Sequence, residues 1–142
     1  MKSSNILINK IKEFEGCKLT SYQDCAGVWT IGIGHISGVK MGQKKTMSQA
    51  ESLLKGDLIY AEKYVNTIKE VDTQGKFDAL VDFAFNLGIA SLQNSTLLRK
   101  IKSKASLSDI QYEFKRWNKA GGKVQNGLVK RREWESIRWS QK

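Results

Sequence analysis

At 142 residues, 40 % hydrophobic and 27 % charged, the chain suits one globular domain, or two small lobes sharing a helix, and is long enough to bury a core. No run approaches the roughly eighteen apolar residues of a membrane span, and one histidine with two cysteines offers neither a metal cluster nor a disulfide framework. The formal charge of +10 is uneven: from Lys115 to Lys142 nine Lys/Arg face only Glu133 and Glu135, a field that attracts polyanions such as nucleic acid, teichoic acid, lipopolysaccharide or peptidoglycan carboxylates.

Along the chain, Leu7, Ile11 and Phe14 recur at helical spacing and predict a first amphipathic helix over 4–14, ended by Gly16. Polar Asn9, Lys10, Lys12 and Glu13 interrupt any signal-peptide core there, so no export address is expected. Residues 17–42, punctuated by glycines, read as a small β-rich part. Ser48-x-x-Glu51 looks like a capping box opening a long helix over 47–69, with Leu54, Leu58, Ala61 and Val65 on its apolar stripe. Asp72 or Thr73 caps the next helix, which is apolar on several sides and closes at Gly88. A short helix is expected over Asn94–Ile101, another from Leu107 to near Gly121-Gly122, and a last one from about Gly127. Proline is absent throughout.

The chemistry concentrates between Glu15 and His35. Glu15 falls at a helix C-terminus, where the helix dipole disfavours negative charge. Asp24 sits nine residues on in an Asp-Cys-Ala-Gly turn, and Thr30 six further in a short alternating strand, where it is expected to look back toward Asp24 while Gly32 leaves room for a ligand or backbone. A helix-end acid, a turn carboxylate and a strand hydroxyl suit bond hydrolysis: one acid protonates the leaving oxygen, one carboxylate activates water, and the hydroxyl holds that water. Spacing alone fits solvated surface charges equally well. His35, the one histidine, is expected to pair with Asp57 on the long helix rather than to catalyse. Cys17 reads as a small buried hydrophobe, and Cys25 lies beside Asp24.

The residues match more than a spacing. Glu15-Gly16, Tyr22-Gln23-Asp24 and Gly27-Val28-Trp29-Thr30-Ile31-Gly32-Ile33-Gly34-His35 closely resemble the active-site segment of the phage lysozymes (endolysins). The likeness continues in Phe83-Ala84-Phe85-Asn86-Leu87-Gly88, Asn94 to Lys100, Arg116-Trp117-Asn118 and Gly127 to Glu133, nearly the whole chain in order. It implies an α+β, mostly helical, lysozyme-like fold over 1–142, with lobes at 14–45 and 70–142 and a connecting helix at 47–69. It implies a muramidase that cuts between N-acetylmuramic acid and N-acetylglucosamine, with Glu15 as general acid, Asp24 as base or electrostatic stabiliser and Thr30 positioning water. Sugar contacts are expected at Ile36, Phe85, Asn86 and Ser95. For Asn86 a bond to the helix-end backbone, for Phe85 the core and for Ser95 a helix cap serve equally as explanations. No cofactor and no metal are expected; the partner is bacterial peptidoglycan, with anionic envelope polymers besides, no specific nucleic acid, and a monomeric state. The expected course is host cytoplasm first, then release to the wall through a holin. Two alternatives stay open: a lytic transglycosylase, and a non-catalytic polyanion-binding domain using the basic C-terminal segment.

Overall fold

Leu7 and Ile11 lie on one helical face and are fully buried, and residues Asn5–Glu15 form helix α1 around that stripe. Gly16, at φ +70°, ends it and returns its N–H to the Lys12 carbonyl at 2.9 Å, a conformation that costs glycine nothing. The computed structural model describes residues 1–142. It is α+β and mostly helical, with two antiparallel two-stranded sheets. The contacts divide into two compact units, Ile8–Ile59, and Met1–Leu7 with Tyr60–Lys142.

In the unit Ile8–Ile59, strand β1 (Lys18–Gln23) pairs antiparallel with β2 (Trp29–Gly32) in the register Tyr22 to Thr30, with an irregularity between Lys18 and Tyr22. Beyond β2 the chain doubles back at once: Ile31 and His35 exchange both backbone bonds, at 2.9 and 3.0 Å, around Gly32-Ile33-Gly34. Ile31, Ile33, Ala50, Leu54 and Leu58 are the buried apolar residues of this unit's sheet and long helix. That helix, α2, runs Met47–Val65. Its capping box is Thr46 with Gln49, not Ser48 with Glu51: Thr46 Oγ1 accepts the Gln49 N–H at 3.1 Å and Gln49 Oε1 accepts the Thr46 N–H at 2.8 Å. Glu51 is thereby free to take Lys12 at 2.6 Å, which ties α1 to α2. The helix stops at Val65 rather than 69 because Thr67 and Ile68 donate to Tyr64 and Val65, tightening the last turn.

In the other unit, Thr73 caps α3 (Gln74–Leu87), accepting the Lys76 N–H at 3.2 Å, and Gly88 closes it. Helices α4 (Ile89–Gln93), α5 (Thr96–Lys102) and α6 (Leu107–Lys115) follow, then α7 (Asn126–Trp139). The helix expected to reach Gly121-Gly122 stops at Lys115; Lys119–Ala120 (β3) and Lys123–Val124 (β4) form a hairpin instead. The two glycines are its turn, both at positive φ (+60° and +79°), as a two-residue primed turn requires.

α3 is buried all round, including two aspartates one turn apart, and α7 answers them with two arginines two turns apart. Arg131 grips Asp82 through two bonds of 2.9 and 3.0 Å, and Arg138 donates to Asp78 at 2.7 and 3.1 Å. Arg132 meets Glu135 at 2.8 Å beside the Phe83 ring. Arg131 and Arg132 are therefore both buried against acidic partners. Burial, then the hydrogen bond to Asp82 and its charge, push the Glu135 carboxyl well above the ordinary range. Burial works against the Asp82 carboxylate too, but the Glu135 hydrogen bond with the Arg131 and Arg132 charges outweighs it and holds Asp82 low. Of the two, Glu135 is the one that more readily holds a shared proton.

Two outcomes are expected on unfolding. A Cβ at Gly75 would stand 2.4 Å from the Arg138 carbonyl oxygen and 2.1 Å from that of Gln141, so Gly75→Ala should cost about 1–3 kcal/mol by urea denaturation. Asp82→Asn strands the Arg131 charge and should cost about 3–5 kcal/mol, whereas Glu135→Gln replaces a protonated group and should be nearly neutral at low pH. A carboxyl raised on folding stabilises below its unfolded value, about 4.3, and that contribution is lost as pH rises through the folded one. Glu135→Gln should accordingly flatten the fall in stability above that pH, and an unchanged profile would refute the shared proton.

Candidate active site

Glu15, Asp24, Thr30, Ile36, His35 and Asp57 all belong to the unit Ile8–Ile59. Phe85, Asn86 and Ser95 belong to the other.

Glu15 is the last residue of α1 and half-buried. Its carboxyl group lies against the backbone of Gly34: a Cβ there would stand 3.0 Å from Oε2 and 3.3 Å from Cδ. Gly34 holds φ +71°, so its lack of a side chain serves both the turn and the acid. The sequence pattern assigned open space to Gly32, but that position faces Ala50 Cβ, 3.1 Å from where its own Cβ would be.

Asp24 opens the turn between β1 and β2 and is exposed. Its Oδ1 accepts the N–H groups of Ala26 and Val28, each at 2.9 Å, and its own N–H donates to the Val28 carbonyl at 2.9 Å. One carboxylate oxygen is thus fixed by the backbone, which leaves Oδ2 toward solvent. Thr30 is buried and donates its hydroxyl to the Val28 carbonyl at 3.0 Å. The Asp24–Val28 turn therefore anchors both side chains through one residue, Val28.

Tyr22 stands opposite Thr30 in the ladder, and its phenol is raised above the ordinary range by burial first, then by the charge of Glu15 and then of Asp24. Lys18 Nζ covers the ring face at 4.3 Å. The residue types that suggest catalysis did not single out Tyr22; its place in the strand pairing does.

His35 bonds through both ring nitrogens, Nδ1 to Asp57 Oδ2 at 2.8 Å and Nε2 to the Ser37 carbonyl at 3.0 Å. Both partners accept, so a ring protonated on both nitrogens satisfies both. The ring links the β hairpin to α2. Ile36 is 57 % exposed. Cys17 is half-buried with its Sγ 3.8 Å from Met47 Sδ, and Cys25 is exposed.

In the other unit, Ser95 is 3 % exposed and its hydroxyl is engaged twice, accepting from Leu98 N–H at 3.0 Å and donating to the Leu92 carbonyl at 2.6 Å. It caps α5, the first of the two roles its position offers. Phe85 is half-buried. Asn86 keeps a buried Oδ1 with no hydrogen-bond partner, so the helix-end backbone bond open to it is not made through that oxygen. No three His, Cys, Asp or Glu side chains converge as metal ligands, and no helix is long and apolar enough to cross a membrane.

Residues 12–135 match the family model described as phage lysozyme. The endolysin of Bacillus phage B103 is 43 % identical over 95 % of this chain, and the chain spans about half (52 %) of that relative's length. The muramidase domain of SpmX from Asticaccaulis excentricus superposes with a TM-score of 0.88 at 31 % identity, covering 99 % of each chain. A variant of P22 lysozyme does so at 0.84 and 32 % identity over 98 % of each. The fold is lysozyme-like.

The Gly34 contact is directly testable. Gly34→Ala should displace the Glu15 carboxyl and cost about 100-fold in any activity that uses it. Gly38→Ala, at φ +70° with nothing within 4 Å, carries the same backbone strain without that contact. It should lose stability but keep activity, and equal losses from both would reduce the effect to strain.

Proposed function

The chain belongs to the phage lysozyme family, and from that premise we propose that it is an endolysin hydrolysing the β-1,4 bond between N-acetylmuramic acid and N-acetylglucosamine in peptidoglycan. The observation that supports this reading is the fixed approach of the Glu15 carboxyl to Gly34, in the same unit as the backbone-held Asp24 and the buried Thr30. The likeness to the muramidase domain of SpmX supports the same bond.

Glu15, half-buried and fixed over Gly34, protonates the glycosidic oxygen as the bond to it breaks. Asp24 is the second carboxylate, its Oδ1 held by two backbone N–H groups. From there it stabilises the positive charge that develops on the sugar ring and takes a proton from the attacking water. Thr30 orients that water. Because its proton is engaged with the Val28 carbonyl, its oxygen presents lone pairs and receives a hydrogen bond from the water. His35 and Asp57 hold the hairpin under the acid and take no part in proton transfer. Ile36, Phe85 and Asn86 are the proposed sugar contacts. The enzyme needs no cofactor, acts as a monomer and reaches the wall from the host cytoplasm through a holin.

Glu15→Gln is expected to abolish clearing of outer-membrane-stripped cells while the unfolding midpoint stays within about 2 °C of wild type. Asp24→Asn retains an oxygen for the Ala26 and Val28 N–H groups, so the turn should survive while activity falls by at least about 100-fold. Substantial turnover by Glu15→Gln would remove that residue from the role. Mass spectra of the released muropeptides decide the chemistry: reducing ends mark hydrolysis, and 1,6-anhydro ends would mark a transglycosylase instead.

A further inference from the structure

The cationic surface of the unit holding α3 to α7 is not evenly spread. A groove of about 900 Å³ passes the start of α3, the α5–α6 turn and the end of α7, and Lys69, Lys76, Lys102, Lys104 and Lys142 line it. Lys76 is committed, to Asp72 at 2.9 Å and to the Trp139 ring at 5.5 Å. The other four lysines make no ion pair, and Glu70 is the one acidic side chain on the lining besides Asp72.

Lys104 is the informative member. α5 ends with the Ala105 N–H on the Lys100 carbonyl and the Lys104 N–H on the Ile101 carbonyl, each at 3.0 Å, the paired bonds of a Schellman motif. The left-handed residue of that motif is ordinarily glycine. Here it is Lys104, at φ +57°, the one non-glycine residue of the chain at positive φ. A cation at a helix C-terminus is favourable in itself, but Lys100 and Lys102 already supply that from within the last turn. A lysine held in a conformation that disfavours any side chain points to a use outside the fold.

The lining also narrows the ligand. Ammonium groups act as point charges suited to phosphate, and no arginine offers the planar fork that pairs with carboxylates. Trp139 is 5 % exposed with Lys76 over its face, so no open ring is available to stack a nucleobase. We infer that this groove binds a base-free phosphodiester polymer of the polyol-phosphate kind found in bacterial envelopes, a second contact independent of whether Glu15 acts as an acid.

Fluorescence anisotropy with labelled poly(glycerol phosphate) at low salt, on the full chain, tests this. Lys104→Gly should raise the unfolding midpoint by about 3 °C and yet weaken binding by about fivefold. Lys69→Ala combined with Lys102→Ala should weaken it further and make the salt dependence shallower. Lys119→Ala with Lys123→Ala, in the exposed β3–β4 hairpin, should leave affinity unchanged. An equal loss in the hairpin variant would show a diffuse field rather than a groove and overturn the inference, as would unchanged binding by Lys104→Gly. Tighter binding to poly-γ-glutamate or to single-stranded DNA of matched length would overturn the assignment of the polymer. Glu15→Gln should bind as wild type does, which separates this inference from the catalytic one.

Discussion

A carboxyl group occupies the space where any side chain at position 34 would begin, and the smaller unit is built around that approach. Glu15 ends α1; Lys12, one turn earlier, is tied to Glu51 of α2 at 2.6 Å; Asp57, further along α2, holds His35 at 2.8 Å. His35 closes the tight hairpin that contains Gly34, and Gly34 lies beneath Glu15. The contacts form a closed circuit, so the acid's position is set from both the helix and the hairpin. Each link is partly exposed and individually modest. Their value lies in geometry, since a carboxyl displaced by even an ångström from its target oxygen transfers a proton poorly.

The other unit spends three of its five arginines inside. Arg131, Arg132 and Arg138 contribute three of the charges that make the C-terminal segment look like a polyanion-binding tail, yet all three are buried against Asp82, Glu135 and Asp78. Taking such pairs out of water is costly, and they are stabilising only when every member is answered. Asp82 and Glu135 are driven in opposite directions within this cluster: the arginines and the Glu135 hydrogen bond hold Asp82 low, while burial and Asp82 push Glu135 up. What remains for outside partners is mostly lysine, in the groove by α5 and in the β3–β4 hairpin, with the exposed Arg99 and Arg116 besides.

Local rules were legible in the sequence wherever a single residue decides the outcome. Gly16, Thr73 and Gly88 end or begin helices as their residue types predict, because each acts on backbone groups within one turn. Overlapping signals were not resolvable. Thr46 with Gln49 and Ser48 with Glu51 both satisfy the capping-box pattern, and only Lys12, thirty-nine residues from Glu51, shows which acid has another partner. Gly121-Gly122 stops a helix or turns a hairpin by the same positive φ, and the choice depends on pairing that no local pattern carries. Asp78 and Asp82 look like the polar side of an amphipathic helix until Arg138 and Arg131 arrive from 60 and 49 residues away. In the candidate site, the types and order of Glu15, Asp24 and Thr30 were readable from the resemblance. The cap role of Ser95 was one of two readings its type allowed, whereas the ladder position of Tyr22 and the approach of Gly34 to Glu15 required coordinates.

The two acids differ in a way that bears on which step each can take. Glu15 is half-buried against backbone and approaches a ligand from a fixed direction, as a proton donor must. Asp24 is exposed, held by one oxygen and open at the other. A donor needs little room, whereas a carboxylate that works through water needs space for a molecule between itself and the sugar. On the proposed mechanism Thr30, whose hydroxyl donates to the Val28 carbonyl that also takes the Asp24 N–H, is the second hydrogen-bond partner of that water. A transglycosylase has no use for a held water, because the sugar's own hydroxyl attacks. The pairing of an open carboxylate with a buried threonine across one turn thus favours hydrolysis over ring closure.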